Sequence, residues 1–322
     1  MLLNYIKRNE YEIKSSNDFF KVEYVKSQPL VSVVLPTFNR ESSINRAIQS
    51  VINQTYKRFE LIVVDDGSTD STENVVKKTK DQRIKYIKFS ENYGAATARN
   101  EGVQQAQGDY VAFQDSDDEW MPNKLERQMS CFALAANNVG MVYTDMLRIF
   151  ENGKTTVLFA PNVVKGKIMD KKELEYQAFG IGQVTAVIRK NCFDSVGYFD
   201  SSLPRFIDME FFLRLTHQFD AIRINTPLVR CYESEGISSN KANGVKVRLR
   251  FLEKYKDSIS TQFKASQYAK IAELLFSLRQ YRLSVEYLFN AFQLSPGCIT
   301  IWKTGCKIGY QKILGNICKA PF

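Results

Sequence analysis

Residues 31–40 read VSVVLPTFNR, and the first five of them decide the fold. Val31 to Leu35 form a β-branched, apolar run too short for a helix and stopped by Pro36, so the pattern predicts a strand buried on both faces. Ser43 then offers a helix cap, and Ile44, Ala47, Ile48, Val51 and Ile52 recur at helical spacing as one buried stripe. Leu61 to Val64 predict a second apolar strand, closed by the turn formers Asp65-Asp66-Gly67-Ser68. Ser71-Thr72-Glu73 opens another helical pattern. Further short strands are expected over 84–87, 110–113 and 141–143, with a helical run over 95–106. Such alternation implies an α/β fold with a doubly wound, mostly parallel sheet. Ligands in such sheets bind just beyond the carboxyl ends of the strands, so the residues that follow each strand carry the functional question.

The chain has 322 residues, 44% hydrophobic and 25% charged, with 8 Pro and 16 Gly, which excludes a disordered or collagen-like polymer. Its net charge is +9, but the excess is not spread evenly. Residues 1–240 carry 30 basic and 31 acidic side chains, whereas residues 241–322 carry 14 basic and four acidic ones. That last segment reads as helix only, with one stripe at Tyr268, Ala269, Ala272, Leu275 and Phe276. A second runs through Tyr281, Val285, Leu288, Phe289 and Phe292, the pair resembling a single tetratricopeptide-type hairpin. Beyond Pro296, Ile301, Trp302 and Ile308 alternate with Lys303 and Lys307, a pattern suited to an interfacial helix near anionic lipid; a plain helical cap is the other reading, and nucleic acid is disfavoured.

Six Cys in no C-x-x-C pair and a single His, His217, exclude zinc clusters and multi-His metal centres. The opening Met-Leu-Leu-Asn-Tyr-Ile-Lys-Arg is no secretory signal, and no apolar run reaches the ~18 residues of a spanning helix. Reduced thiols and a cytoplasmic location, with possible contact on the inner membrane face, are the expectation. No G-x-x-x-x-G-K-[ST] occurs, and Gly180-Ile181-Gly182-Gln183 lacks a third glycine, which sets aside P-loop and dinucleotide-binding readings.

Three acidic places stand out. Asp115-Ser116-Asp117-Asp118 follows the strand at 110–113, and three carboxylates in one loop repel unless a cation joins them. Mg²⁺ or Mn²⁺ shared with a diphosphate would do so, and a solvated acidic turn is the plainer alternative. Asp65-Asp66 reads first as an Asx-capped turn. A carboxylate there can also accept a ring N–H such as that of uracil, with Phe38 offering an aromatic face. Asp208, in Phe206-Ile207-Asp208-Met209-Glu210, suits a helix first turn and equally a general base for an attacking hydroxyl.

Taken together, VSVVLPTFNR at 31–40, IQSVINQTYKRFELIVVDDGSTDST at 48–72, NYGAATARNEGV at 92–103, GDYVAFQDSDDEWMP at 108–122 and GYFDSSLPRFIDMEFFLRL at 197–215 resemble the family 2 glycosyltransferases of GT-A fold. The blocks cover roughly residues 30–235 in the family's order. With the resemblance placing a GT-A domain over 31–240 (nucleotide side 31–120, acceptor side 121–240), residues 1–30 are expected as an N-terminal extension and 241–322, from their own charge and periodicity, as a basic helical C-terminal segment. It implies that Pro36, Phe38, Arg40, Asp66, Arg99, Asp115 and Ser116 bind a nucleotide-sugar, a UDP-sugar by expectation. Asp117, with Asp115, would ligate Mn²⁺ or Mg²⁺. Trp120 and Asp118 would shape the sugar and acceptor cleft, and Asp208 would be the catalytic base. The implied reaction is inverting transfer to a hydroxyl of a glycan or lipid-linked acceptor in cell-surface polysaccharide synthesis. A catalytically silent nucleotide-sugar-binding scaffold is the rival. Two departures matter: Ile207 stands where the family often has an acid, and Val229-Arg230-Cys231-Tyr232 lacks the His that many members carry there. His217 is expected to be structural.

Overall fold

The computed structural model describes residues 28–160, 181–203, 205–233, 241–257 and 259–317. Most of the expected N-terminal extension and the boundary stretch 234–240 lie outside the described residues. The strands are β1 (Val31–Thr37), β2 (Phe59–Asp65), β3 (Ile84–Lys88), β4 (Tyr110–Phe113), β5 (Glu119–Trp120), β6 (Val139–Ile149), β7 (Thr155–Leu158), β8 (Val187–Arg189) and β9 (Asp220–Tyr232). They form one sheet in the order β3-β2-β1-β4-β8-β6-β9-β5, with β7 paired to β6. The first four in this order are mutually parallel, as is β6 with β9. β8 runs antiparallel between the two halves. The α/β, doubly wound architecture is therefore present, and its parallel half holds the predicted nucleotide side.

Burial explains the opening run. Val31, Val33 and Leu35 point to one face of the sheet, among Ile44, Ile48 and Val51 of helix α1 (Ile44–Ile52). Val34 points to the other, where Gly102 of α3 (Ala95–Gln105) lies so close that any Cβ would strike it. A strand covered on both sides cannot alternate, so it reads as continuous apolar sequence. Pro36 is buried within β1 and costs no ladder bond, because pairing with β4 has already ended at Val34. Helix α2 (Thr72–Lys78) follows β2, and α4 (Lys124–Ala133) follows β5. The expected Ser43 cap is not made by its side chain; Ile44 N–H bonds to Arg40 O at 2.9 Å instead, so the incoming loop itself closes the helix.

On the other half, α5 (Asn191–Val196) and α6 (Ile207–Gln218) cover the sheet through Phe193, Phe211 and Phe212. The C-terminal segment is helical as expected: α7 (Lys241–Lys254), α8 (Thr261–Ser277), α9 (Tyr281–Leu294) and α10 (Ile299–Ile317). It docks on α6, where Met209 and Leu213 pack with Phe251 and Phe263. The stripe expected on α9 is split: Leu288 packs on α8, whereas Tyr281, Val285, Phe289 and Phe292 are exposed. Against Ala265, Ala269 and Ala272 of α8, helix α9 buries the small Ser284 and Ala291, flanked by the partly buried Leu288 and Leu294.

Candidate active site

The carboxyl ends of β1 and β2 are tied into one platform by side chains that replace missing backbone partners. Asp65 Oδ1 accepts Ser68 N–H at 2.7 Å in the expected Asx turn, and Gly67 supplies the positive φ of +80°. Ser68 Oγ accepts Asn39 N–H at 2.9 Å, Asn39 Oδ1 accepts Thr69 N–H at 2.9 Å, and Thr72 Oγ1 accepts Arg40 N–H at 2.8 Å. Asn39 itself is left-handed at φ 50°, a conformation this residue type tolerates. Phe38 is left with its ring exposed. Asp66 is buried, and its two oxygens accept Tyr93 N–H at 2.7 Å and Gly94 N–H at 2.8 Å, ahead of α3. Burial pushes the Asp66 carboxyl above its ordinary range, opposed by those two N–H groups. Each oxygen keeps one lone pair beyond its backbone bond.

The acidic loop after β4 sends its three carboxylates in three directions. Asp115 Oδ1 meets Arg99 Nη2 of α3 at 2.9 Å. Asp117 Oδ2 lies 3.5 Å from Arg40 Nη2. Asp118 turns toward β9, its oxygens accepting Tyr232 N–H at 3.1 Å and the Cys231 thiol at 3.0 Å. Ser116 is buried within the same loop. Burial, then the neighbouring Asp115 and Asp117 charges, push Asp118 up to about 8. Two expectations for the cleft thus shift. Asp118 anchors the loop to β9, and Trp120 sits beneath it in the core, 2% exposed, with Lys124 Nζ 3.9 Å from its ring centroid. An indole flanked by a buried amine is a packing element at this place.

Asp208 occupies the first turn of α6, with Oδ1 accepting Met209 N–H at 2.9 Å. Desolvation raises its pKa; Met209 N–H and the Arg99 charge oppose that rise, and the Asp115 charge adds to it. The base candidate and the acidic loop are therefore within electrostatic reach of each other, and Arg99 acts on both. Sequence spacing of 93 residues hides this; the sheet order, which sets β4 beside the strands covered by α6, creates it.

Other partners were not legible in advance. Arg46 of α1 donates to Asp117 O and stacks 3.7 Å from the centroid of Tyr232. Tyr232 in turn donates to Glu119 at 2.8 Å. Where many relatives in the resemblance carry His, this chain thus places Cys231 and Tyr232 as clamps on the acidic loop. Arg46 shows no signal of its own beyond being a polar position on an amphipathic helix.

Among the described residues no group of three or more His, Cys, Asp or Glu side chains forms a ready metal cage. The donor chemistry fits a different arrangement. Mg²⁺ and Mn²⁺ take hard oxygens, need only one or two protein carboxylates, and complete their shell with phosphates and water. Asp117 and Asp115 are such donors, and the mutual repulsion felt at Asp118 is what a cation would relieve.

Comparison with known proteins bears on the family and the fold. The family model described as "Glycosyl transferase family 2" matches residues 32–197. Escherichia coli WfgD, named a UDP-Glc:alpha-D-GlcNAc-diphosphoundecaprenol beta-1,3-glucosyltransferase, is 37% identical over 163 residues, covering 49% of this chain and 60% of WfgD. The match thus spans less than two thirds of that relative's length. Among solved structures, Staphylococcus aureus TarS 1-349 in complex with UDP aligns with a TM-score of 0.58 at 21% identity, over 83% of this chain and 81% of that one. The Pyrobaculum calidifontis mannosyltransferase PcManGT, in complex with GDP-Man and Mn2+, aligns at 0.57 and 18% identity, over 88% and 81%. At these identities the two structures establish the GT-A transferase fold alone. With more than half of its length matched by the family model and its fold shared with known transferases, the chain belongs to glycosyl transferase family 2.

Proposed function

We propose that this protein transfers a sugar, with inversion, from a UDP-sugar to a hydroxyl of a glycan or lipid-linked acceptor in cell-surface polysaccharide synthesis. The observation that carries the reading is the convergence of Asp208 with Arg99 and Asp115 at the carboxyl edge of the sheet. UDP is favoured as the carrier because WfgD is named for UDP-Glc and TarS is solved with UDP. The diphosphoundecaprenol in the WfgD name supports a lipid-linked acceptor.

Asp66 and the exposed Phe38 ring would hold the uracil, Pro36 closing the floor behind them. Arg40 and Arg99 would neutralise the diphosphate side, and Asp115 with Ser116 would meet the ribose. Asp117, helped by Asp115, would hold a divalent cation, which when bound supplies positive charge to the departing diphosphate. Asp208 takes the proton of the acceptor hydroxyl as its oxygen forms the new bond to the anomeric carbon. The bond from that carbon to the diphosphate breaks in the same displacement, so an α-linked donor gives a β-glycoside. A raised carboxyl pKa suits this task, because a more basic carboxylate is a better proton acceptor.

The test is product formation from labelled UDP-sugars with Mn²⁺ and a lipid-diphosphate-linked saccharide. Wild type should turn over, Asp117→Asn should lose most activity, and Asp208→Asn should bind UDP yet transfer about a thousand-fold more slowly. UDP binding with no transfer or donor hydrolysis by any UDP-sugar would instead favour the silent scaffold.

A further inference from the structure

Helix α9 meets α8 through Ser284, whose Oγ donates to Ala272 O at 2.7 Å, and Ala291, with Tyr287, Leu288 and Leu294 partly buried beside them. A second set of bulky residues is turned the other way. Tyr281, Val285, Phe289 and Phe292 follow one helical stripe, Val285 being 64% and Phe289 58% exposed. The stripe continues onto α10: Trp302, 58% exposed, packs edge-to-face on Phe292 with ring centroids 5.9 Å apart. Trp302 Nε1–H donates to Pro296 O at 2.9 Å, which fixes the indole outward. Ile299, 66% exposed, lies one turn before Trp302 on the same face. Both helices rest on α8 and form the outer layer of the stack.

The charge around this face is mainly positive. Arg282 and Lys303 are exposed beside the stripe, and residues 279–322 contain six basic side chains against the single acid Glu286. A second copy docking through the same face would bring these cations together. An anionic surface would be drawn to them. Apolar aromatic residues ringed by Lys and Arg are the composition that lies in the headgroup layer of a bilayer, with Trp and Tyr at the boundary. No helix among the described residues is long and apolar enough to cross a membrane, so contact would be peripheral.

We propose that the outer face of α9 and α10 is a docking surface for an anionic lipid bilayer. The proposal stands apart from the transferase reading, since vesicle binding is measured with no substrate present. Full-length protein is sedimented with vesicles of phosphatidylglycerol mixed with phosphatidylcholine, and with phosphatidylcholine alone. Wild type should bind the mixed vesicles at least about ten-fold more tightly than the neutral ones, and the binding should fall with salt. Its Trp emission should shift to shorter wavelength, because Trp302 enters the lipid while Trp120 is already buried. Phe289→Ser with Phe292→Ser and Trp302→Ser should cut binding about ten-fold, by loss of apolar burial. The charge variant Arg282→Glu with Lys303→Glu, which removes no apolar side chain, should do the same and keeps the test open if the triple variant fails to fold. Wild type that ignores anionic vesicles, or binding undiminished in the charge variant, overturns the proposal. So does a concentration-dependent dimer in sedimentation that the charge variant strengthens while vesicle binding is absent.

Discussion

Asp208 shows how a single carboxyl acquires a task. Desolvation lifts its pKa, and the Arg99 cation restrains the lift. As the proposed base Asp208 would act in its ionised form, so the acid limb of kcat/KM is expected at a pH above the ordinary carboxylate value of about 4. Removing the restraint moves it further: in Arg99→Gln the limb should shift to higher pH, as read from a pH-rate profile. A limb unmoved in that variant would separate Arg99 from the base. Asp208→Asn should lower turnover by about a thousand-fold while UDP affinity stays within two-fold, measured by calorimetry. The acidic places themselves were legible in the sequence, but each also had a plain reading as a turn or a helix start, and only the family resemblance joined them into one candidate site. The roles of Arg46, Cys231 and Tyr232 were not legible, since each reaches the acidic loop across a gap of 71 to 114 residues that only the sheet order closes. Nor could the pattern show Trp120 and Asp118 turned inward. An Asp-Asp-Glu-Trp string reads the same whether its side chains face a cleft or a neighbouring strand.

At the scale of elements, the helix that carries Asp208 is held from outside the sheet. Phe206, just before α6, is left-handed at φ 61°, which costs on the order of 1 kcal/mol for such a residue. The Arg248 guanidinium of α7 lies 4.6 Å from its ring centroid. One turn on, Glu210 is fully buried and bonded by Arg214 at 2.8 and 3.0 Å, by Lys254 at 3.0 Å and by the Tyr255 hydroxyl. Burial alone would raise the Glu210 carboxyl, but these partners hold it below the usual range. Its stabilising effect is therefore present above the unfolded-state pKa and is lost as pH falls through the lower folded value. Glu210→Ala, which removes the buried carboxylate that Arg214, Lys254 and Tyr255 share, should destabilise the fold by about 2 kcal/mol in denaturant unfolding. Tyr255→Phe and Arg248→Ala should lower kcat about ten-fold with donor KM unchanged, if α7 positions the base. Equal losses in kcat and in donor binding would instead indicate general loosening. Helix α9 teaches the reverse lesson about legibility. Its apolar stripe was plain in the sequence, yet in the fold Leu288 packs on α8 while Tyr281, Val285, Phe289 and Phe292 face outward, and periodicity says nothing about which face a neighbour can accept.

Across the whole molecule, charge is partitioned by task. The first 240 residues are nearly neutral, while the last 82 carry an excess of ten positive charges. A diphosphate met by bulk positive potential would bind less tightly as salt screens that field over a Debye length of roughly 10 Å at 0.1 M. Here the anionic donor would instead meet a few placed groups, Arg40, Arg99 and the cation at Asp117, on a platform already tied together by backbone-to-side-chain bonds. Partly buried pairs are screened far less than exposed ones. UDP with Mn²⁺ should therefore raise the melting temperature by nearly the same amount at 50 and at 500 mM salt, since the gain follows RT ln(1 + [L]/Kd). Vesicle binding by the outer helices should drop at least about ten-fold over the same range, because its cations are exposed and act at a distance. Both responses can be read on one preparation, by thermal shift and by sedimentation. If donor binding weakened with salt as steeply as vesicle binding, the nucleotide would be held by the basic helices or by long-range field, and the site at the carboxyl edge of the sheet would lose its claim to the donor.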